Sequence, residues 1–353
     1  MRDYSRAERV IGLDLGDQRS HFQVLKESGE VEEVGQVPTR RREMERWGQQ
    51  QKAARVVMEA GTHSPWVSRL LEACGHEVVV ANPRKVQLIT KNVKKRDAVD
   101  AELLARLGRV DVELLSPVKH RCAEAQQDLA VIRSRDAVVR TRSQLIHHVR
   151  GAVKAVGGRI GSCSAPGFAR RAAEQMPAEL KPALGPVLEV VAQLTRQIRQ
   201  YDRVIEQLGK QKYGVTELLR SVAGVGAVTS LAFVLVIDEP ARFRRSRVVG
   251  SYLGLQTGSR QSGQQDPQLP ISKQGDQLLR RLLVNSAQYV LGPFGPDSDL
   301  RRWGLRLAER GGKNAKKRAV VAVARKLAVL LHHLWVCGEV YEPFNATQRR
   351  VAA

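Results

Sequence analysis

Cysteine is scarce and dispersed. Cys74, Cys122, Cys163 and Cys337 lie far apart, with no CxxC pair among them. That spacing excludes a zinc knuckle and a disulfide framework, leaving free thiols suited to a reducing compartment. The N-terminal segment, Met1 to Glu8, has charges but no apolar stretch behind them. No uncharged run approaches the roughly 18 residues needed to span a bilayer, which predicts a cytoplasmic protein without membrane attachment. Aromatic residues are sparse at 5%, and no internal repeat is present. The glycine-rich segment Ala223-Gly-Val-Gly-Ala-Val-Thr229 has no Gly-Lys-Ser/Thr after it, so it is not a Walker loop and implies no nucleoside triphosphate.

What is present is positive charge. The 353 residues hold 58 Lys and Arg against 36 Asp and Glu, a formal net charge of +22. Such a charge repels itself unless something anionic neutralises it, and a polyphosphate backbone is the usual partner. The basic residues also cluster along the chain, which favours nucleic acid over a merely soluble basic protein or an anionic membrane. The rest of the composition, 42% hydrophobic and 27% charged, is that of an ordinary globular protein with room for two cores.

Residues 8–115 alternate short apolar runs with helical stretches. Strands are predicted at Arg9–Gly16, Ser20–Lys26, Val31–Val37, Ala54–Glu59 and Glu77–Ala81, with a hairpin signal at Glu27-Ser-Gly-Glu30. Helices are predicted at Arg41–Gln51 and Trp66–Cys74. This order places three antiparallel strands before a parallel α/β continuation, an RNase-H-like mixed sheet. Residues 116–213 change to long-period helix. One apolar stripe carries Leu129, Ile132, Val139, Leu145, Ile146, Val149 and Val153. A second, from Leu184 to Lys212, carries Val187, Val190, Leu194, Ile198, Ile205 and Leu208. The pair predicts an antiparallel coiled-coil arm, a spacer or oligomerisation element. Residues 214–340 form a small, mainly helical C-terminal domain, and 341–353 a tail. The fold class is therefore α/β plus α.

Four acids stand out. Asp14 lies within the apolar strand Ile11-Gly-Leu-Asp-Leu-Gly16, where an uncompensated carboxylate would cost several kcal/mol to bury, and a divalent cation is a common partner. Glu59 ends another apolar strand, and the carboxyl ends of parallel strands form the functional crevice. Asp97 and Asp100 sit three apart at the start of a helix, on one face. Their local alternative is helix capping, Asp97 as N-cap and Asp100 or Glu102 favouring the positive dipole end. Taken together, the four carboxylates can hold two Mg²⁺ ions about 4 Å apart, polarising a phosphate and stabilising attacking and leaving oxygens.

Basic clusters surround these acids in sequence. Arg84, Lys85, Lys91, Lys94, Lys95 and Arg96 supply six positive charges without an acid, suited to guiding a phosphate backbone. In the C-terminal domain, Gly224 and Gly226 fit a helix-hairpin-helix turn whose backbone N–H groups hold phosphate. Lys273, Arg280 and Arg281 flank a polar loop containing Ser262 beside Gly263. A serine becomes nucleophilic when a base, a metal or a dense positive field lowers its pKa. Residues 299–326 hold ten Lys or Arg, among them Lys316, Lys317 and Arg318, against two acids, a nucleic-acid-facing helix pair.

Several of these blocks, in this order, resemble the DEDD-type insertion-sequence transposases, bridge-RNA-guided serine recombinases with a RuvC-like domain. The N-terminal blocks are Asp-Leu-Gly, Met-Glu-Ala-Gly and Lys-Arg-Asp-Ala-Val-Asp-Ala. The C-terminal ones are Ala-Gly-Val-Gly, Gly254-Leu…Ser262-Gly263 and Ile271-Ser-Lys-Gln-Gly-Asp…Leu279-Arg-Arg-Leu-Leu283. The resemblance covers nearly the whole chain. It implies that Asp14, Glu59, Asp97 and Asp100 are metal ligands for Mg²⁺ or Mn²⁺ and that Ser262 is the nucleophile. It further implies a site shared between subunits, a serine–DNA covalent intermediate and a Holliday-junction-like intermediate. The partners implied are donor and target DNA, a non-coding guide RNA, and further copies of the chain in homodimers or homotetramers. Two features depart from the family pattern. Gln261 stands where the family often has a first serine, and the loop 264–270 is less basic than usual. Ser259 therefore stays a rival to Ser262. Two other readings also stay open: a metal-only Holliday-junction nuclease, and a non-catalytic RNA- or DNA-binding protein.

Overall fold

Apolar runs bounded by turn residues fold into the five expected strands, within one or two residues at each end. The structure is a computed structural model that describes residues 7–89, 97–258 and 269–344. It comprises two units, Met1–Ala123 and Glu124–Ala353.

The first unit contains β1 (Arg9–Asp14), β2 (Arg19–Lys26), β3 (Val31–Pro38), α1 (Arg41–Gln50), β4 (Arg55–Glu59), α2 (Ser64–Ala73), β5 (Glu77–Ala81), α3 (Pro83–Ile89) and α4 (Asp97–Val110). The sheet order is β3-β2-β1-β4-β5. Strands β1, β2 and β3 pair antiparallel, while β4 runs parallel to both β1 and β5. This is the mixed, RNase-H-like topology that the element order predicts. Residues alternate across the sheet. Ile11, Leu13, Val56 and Met58 face Met44 and Trp47 of α1 and Val67, Leu70 and Leu71 of α2. Val10 and Val57 face the opposite way, toward Val86 of α3 and Leu104 of α4. Each fully buried side chain of this size contributes about 1.5–3 kcal/mol.

Helix α4 lies directly on the sheet because Gly12 has no side chain. A Cβ there would stand 1.9 Å from the Ala101 carbonyl oxygen and 2.5 Å from the Ala105 nitrogen. Further along the helix, Gly108 faces Val57 and Val10. Rising helix numbers therefore meet falling strand numbers, so α4 runs antiparallel to β1. Its first turn reaches the end of β1 that carries Asp14.

The second unit contains α5 (Ala123–Ala155), α6 (Phe168–Gln175), α7 (Lys181–Gln211), α8 (Val215–Arg220), α9 (Ala227–Ile237), α10 (Arg247–Tyr252), α11 (Gln277–Leu291), α12 (Asp299–Glu309) and α13 (Ala315–Cys337). Helices α5 and α7 form an antiparallel pair. Asp128 bonds Lys212, Arg135 bonds Asp202 and Arg142 bonds Thr195, while Val149 and Val153 share a core with Leu184, Leu188 and Val191. Positions 128, 135, 142 and 149 recur every seven residues, the spacing that keeps one seam facing a partner helix. The α7 seam differs from the expected stripe: Leu184, Leu188, Val191, Thr195, Ile198 and Ile205 are buried, whereas Val190 is 44% exposed. The seven-residue repeat rotates the stripe by one position, and Arg142 and Thr195 interrupt it with a buried polar layer. Helix α6, which hydrophobic periodicity did not reveal, closes the far end of the pair with Phe168 and Ala172.

At the other end, Leu129, Ile132 and Ile205 join the core built around α9, all of whose residues from Thr229 to Ile237 are buried. Among the described helices, α13 is the one long and apolar enough to cross a membrane by length and composition. Its apolar stripe, Val323, Ala324, Leu327, Leu331 and Leu334, instead fills this core.

Candidate functional site

The sheet gives Asp14 and Glu59 a common address. Leu13 pairs in register with Met58, so Asp14 and Glu59 follow at adjacent ends of two parallel strands. Alternation turns both onto the face where α4 lies, and both are half-buried. Asp100, also half-buried, belongs to the first turn of α4 that reaches this end of the sheet. Asp97 opens the same helix, and its side chain lies outside the described residues. Three of the four predicted acids thus converge on one end of one face.

The donors are all carboxylate oxygens, the chemistry that suits a hard cation such as Mg²⁺ or Mn²⁺. Among the described residues, no three His, Cys, Asp or Glu side chains are close enough to hold one metal ion together. The all-carboxylate donor chemistry is what fits a divalent ion.

Immediately after Glu59, the chain turns through Gly61 into α2. Ser64, fully buried, accepts the Gly61 N–H at 2.9 Å and lies 2.9 Å from His120 Nε2. Burial pushes His120 below the usual imidazole range, with Arg69 and Arg121 adding to the effect. His63 approaches Asp17 at 3.5 Å and accepts a bond from the Trp66 indole at 3.2 Å. None of these polar residues stands out in the sequence, because the partners of Ser64 and His63 lie 56 and 46 positions away.

In the second unit, Ser262, its rival Ser259 and Gly263 lie outside the described residues. The flanks of that segment are paired. Thr257 bridges Ile271, Gly258 N–H donates to the Pro270 carbonyl at 3.1 Å, and Ser272 N–H donates to Gln256 at 2.9 Å. Gly275 has φ +76°, and a Cβ there would stand 2.1 Å from the Tyr252 carbonyl. Arg280 donates to the carbonyls of Leu253 and Gln274 at 3.0 and 2.7 Å, and Arg281 pairs with Asp136. Arg280, a predicted phosphate contact, therefore also braces the base of the serine-bearing segment, while Arg281 is tied to α5. Lys273 is exposed there, with φ +54°.

The other predicted contacts divide by position. Arg84 and Lys85 are exposed on α3, and Lys316, Lys317 and Arg318 on the first turn of α13. Gly224 and Gly226 form the turn before α9. Lys94, Lys95 and Arg96 lie outside the described residues. One basic residue has a setting that composition does not reveal: the Arg242 guanidinium stacks on Phe243 at 4.8 Å and on Tyr252 at 4.7 Å.

An RNase-H-like sheet with carboxylates at its strand ends, followed by a basic helical unit, defines the class. A family model for DEDD transposases of the IS110 type matches residues 11–157. A second, described as transposase IS116/IS110/IS902 family, matches residues 216–299. The chain belongs to this transposase family. Among its relatives, the transposase for insertion sequence element IS1111A of Coxiella burnetii is 28% identical over 304 residues, 82% of this chain and 80% of that protein. A Pseudomonas aeruginosa protein named "Probable family 20 transposase" is 29% identical over 341 residues, 94% of this chain and 98% of that protein. The transposase for insertion sequence element IS1328 of Yersinia enterocolitica is 27% identical over 292 residues, 80% and 84% of the two chains.

Proposed function

We propose that this transposase cuts and rejoins DNA strands through a serine–DNA intermediate, with divalent metal at the acidic site and a structured RNA as guide. The observation that carries the reading is the convergence of Asp14, Glu59 and the first turn of α4 on one end of the sheet. Asp14, Glu59, Asp97 and Asp100 would hold the metal, which supplies positive charge to a phosphate and its departing oxygen. The Ser262 hydroxyl oxygen forms a bond to phosphorus as the phosphorus–oxygen bond to the leaving deoxyribose breaks, so one phosphate ester replaces another. Rejoining reverses the exchange with a new deoxyribose hydroxyl. The division of labour is three-part: residues 8–115 carry the RuvC-like metal site, 116–213 the arm, and 214–340 the serine. The seven-residue recurrence along α5 and α7 supports an antiparallel coiled coil that serves subunit pairing in a dimer or tetramer. The charge of +22 supports contact with both DNA and RNA.

The test is a covalent adduct. Protein, guide RNA, end-labelled DNA and Mg²⁺ are mixed, then denatured, and labelled DNA is sought on the protein. The expected result is an adduct with the wild type and with Ser259→Ala, and none with Ser262→Ala. Strand cutting without an adduct would replace this mechanism with a metal-only junction nuclease. Recombination unchanged by Asp14→Ala would remove the metal-site assignment.

A further inference from the structure

We infer that the open depression in front of the α8–α9 turn is a binding subsite for one backbone phosphodiester of nucleic acid. The inference rests on the reading of the chain as a nucleic-acid enzyme and gives that enzyme a defined anion contact in its helical unit. The depression has a volume of about 490 Å³, and its walls include Arg220, Gly226, Thr229, Asn285, Ser286 and Tyr289.

Three features point to an anion. The first is the end of α9. This eleven-residue helix has Gly226 as N-cap and no side-chain cap, and Ser230 is the first residue whose N–H bonds back, to Gly226 O at 2.9 Å. The N–H groups of its first turn, Ala227 to Thr229, have no acceptors within the helix, and the helix dipole makes this end positive. Gly226 is exposed, and a Cβ built there meets nothing within 4 Å, so a ligand can approach the backbone closely.

The second feature is independent of the helix end. Thr229 is 7% exposed and Ser286 is 3% exposed, both line the depression, and neither hydroxyl has a hydrogen-bond partner among the described residues. Buried hydroxyls are normally bonded, and leaving one unmade is unfavourable. Both can donate to a phosphate oxygen. The third feature is Arg220, held in place by Glu206 at 2.9 Å and Glu217 at 3.0 Å. Its guanidinium is thus positioned at the wall, with its charge partly offset by those two carboxylates. Tyr289, 47% exposed, adds an aromatic surface suited to a sugar or base beside the phosphate.

The position of Gly226 offers a discriminating variant. Its φ of −91° and ψ of −179° suit any residue, so Gly226→Asp caps α9 with its own carboxylate while filling the anion position with negative charge. Thr229→Val removes one hydroxyl at nearly constant volume. Binding of a labelled 20-base-pair DNA duplex and a 20-nucleotide RNA is measured across a salt series, together with Tm. The expected result for Gly226→Asp is an affinity loss of roughly tenfold, a salt slope shallower by about one unit, and an unchanged or higher Tm. Thr229→Val should lose about threefold. Loss on duplex alone assigns the subsite to DNA, and loss on RNA alone assigns it to RNA. Unchanged affinity and slope on both probes would overturn the inference, as would parallel loss of Tm and binding in both variants. A wild type that binds normally but forms no serine adduct would overturn the proposed mechanism and leave the subsite standing.

Discussion

The two units present chemistry in opposite ways. In the sheet unit, Asp14 and Glu59 are fixed by strand register, and α4 is fixed by a glycine contact. The backbone itself sets where the acids stand. In the helical unit, the serine-bearing segment is an insertion between paired flanks, and Arg280 secures its base through two carbonyls. There the described scaffold is the paired flanks on either side of residues 259–268. A rigid template suits groups that must hold their spacing.

The sharpest way to break this comparison is at the carboxylates. Asp14→Asn keeps the strand but removes a charge, so recombination should fall by about 10³-fold or more, with Tm shifted by no more than about 2 °C. A large fall in Tm on circular dichroism would make Asp14 structural. Next come the glycines that shape each unit. Gly12→Val should cost about 3–5 kcal/mol in chemical denaturation, because the contact is backbone against backbone. Gly275→Ala should cost about 1–3 kcal/mol through its positive φ and the Tyr252 carbonyl, and it should also lower adduct yield. Equal stability of Gly12→Val and wild type would remove the seat proposed for α4.

A third effect is smaller. Replacing Lys94, Lys95 and Arg96 with Gln should weaken nucleic-acid binding by about tenfold at moderate salt and flatten its salt slope. An unaltered slope would mean that the run faces solvent without touching phosphate. The smallest effect concerns protons. Burial lowers the pKa of His120 in the sheet unit and of His332 in the helical unit. The unfolded chain then takes up the proton first. The stability these groups give is complete above the ordinary imidazole pKa of about 6.5 and is lost as pH falls toward the folded values. Thermal melts should therefore weaken from about pH 7.5 to about pH 5.5, less steeply in His120→Asn and in His332→Asn. Melts that strengthen on acidification would contradict both assignments.

Much of the sheet unit was legible in the sequence, and the reasons are local. Apolar strands with Gly at their ends, the Glu27–Glu30 hairpin and the strand-end acids are each written within a few residues. The helical unit was less so. Apolar stripes at helical spacing located α5 and α7, but the seam on α7 is rotated, and Arg142, an arginine on paper suited to solvent, is buried against Thr195. Arg280 reads as a phosphate contact because sequence shows its charge and conceals its two carbonyl acceptors. Ser64 and His120 were invisible because 56 residues separate them.

The seat of α4 has one further consequence. The spacing between strand-borne and helix-borne carboxylates is set from beneath, by a hydrogen atom at position 12 where every other residue would place a carbon. Gly12→Ala, in a protein stable enough to tolerate it, would act as a shim: it would lift the first turn of α4 and widen the spacing of the acids with every carboxylate intact. Because Mg²⁺ demands shorter and more regular coordination than larger hard cations, such a variant should change which ion supports activity, shifting preference from Mg²⁺ toward Mn²⁺ or Ca²⁺. Ion selectivity in this enzyme would then be a property of its smallest residue.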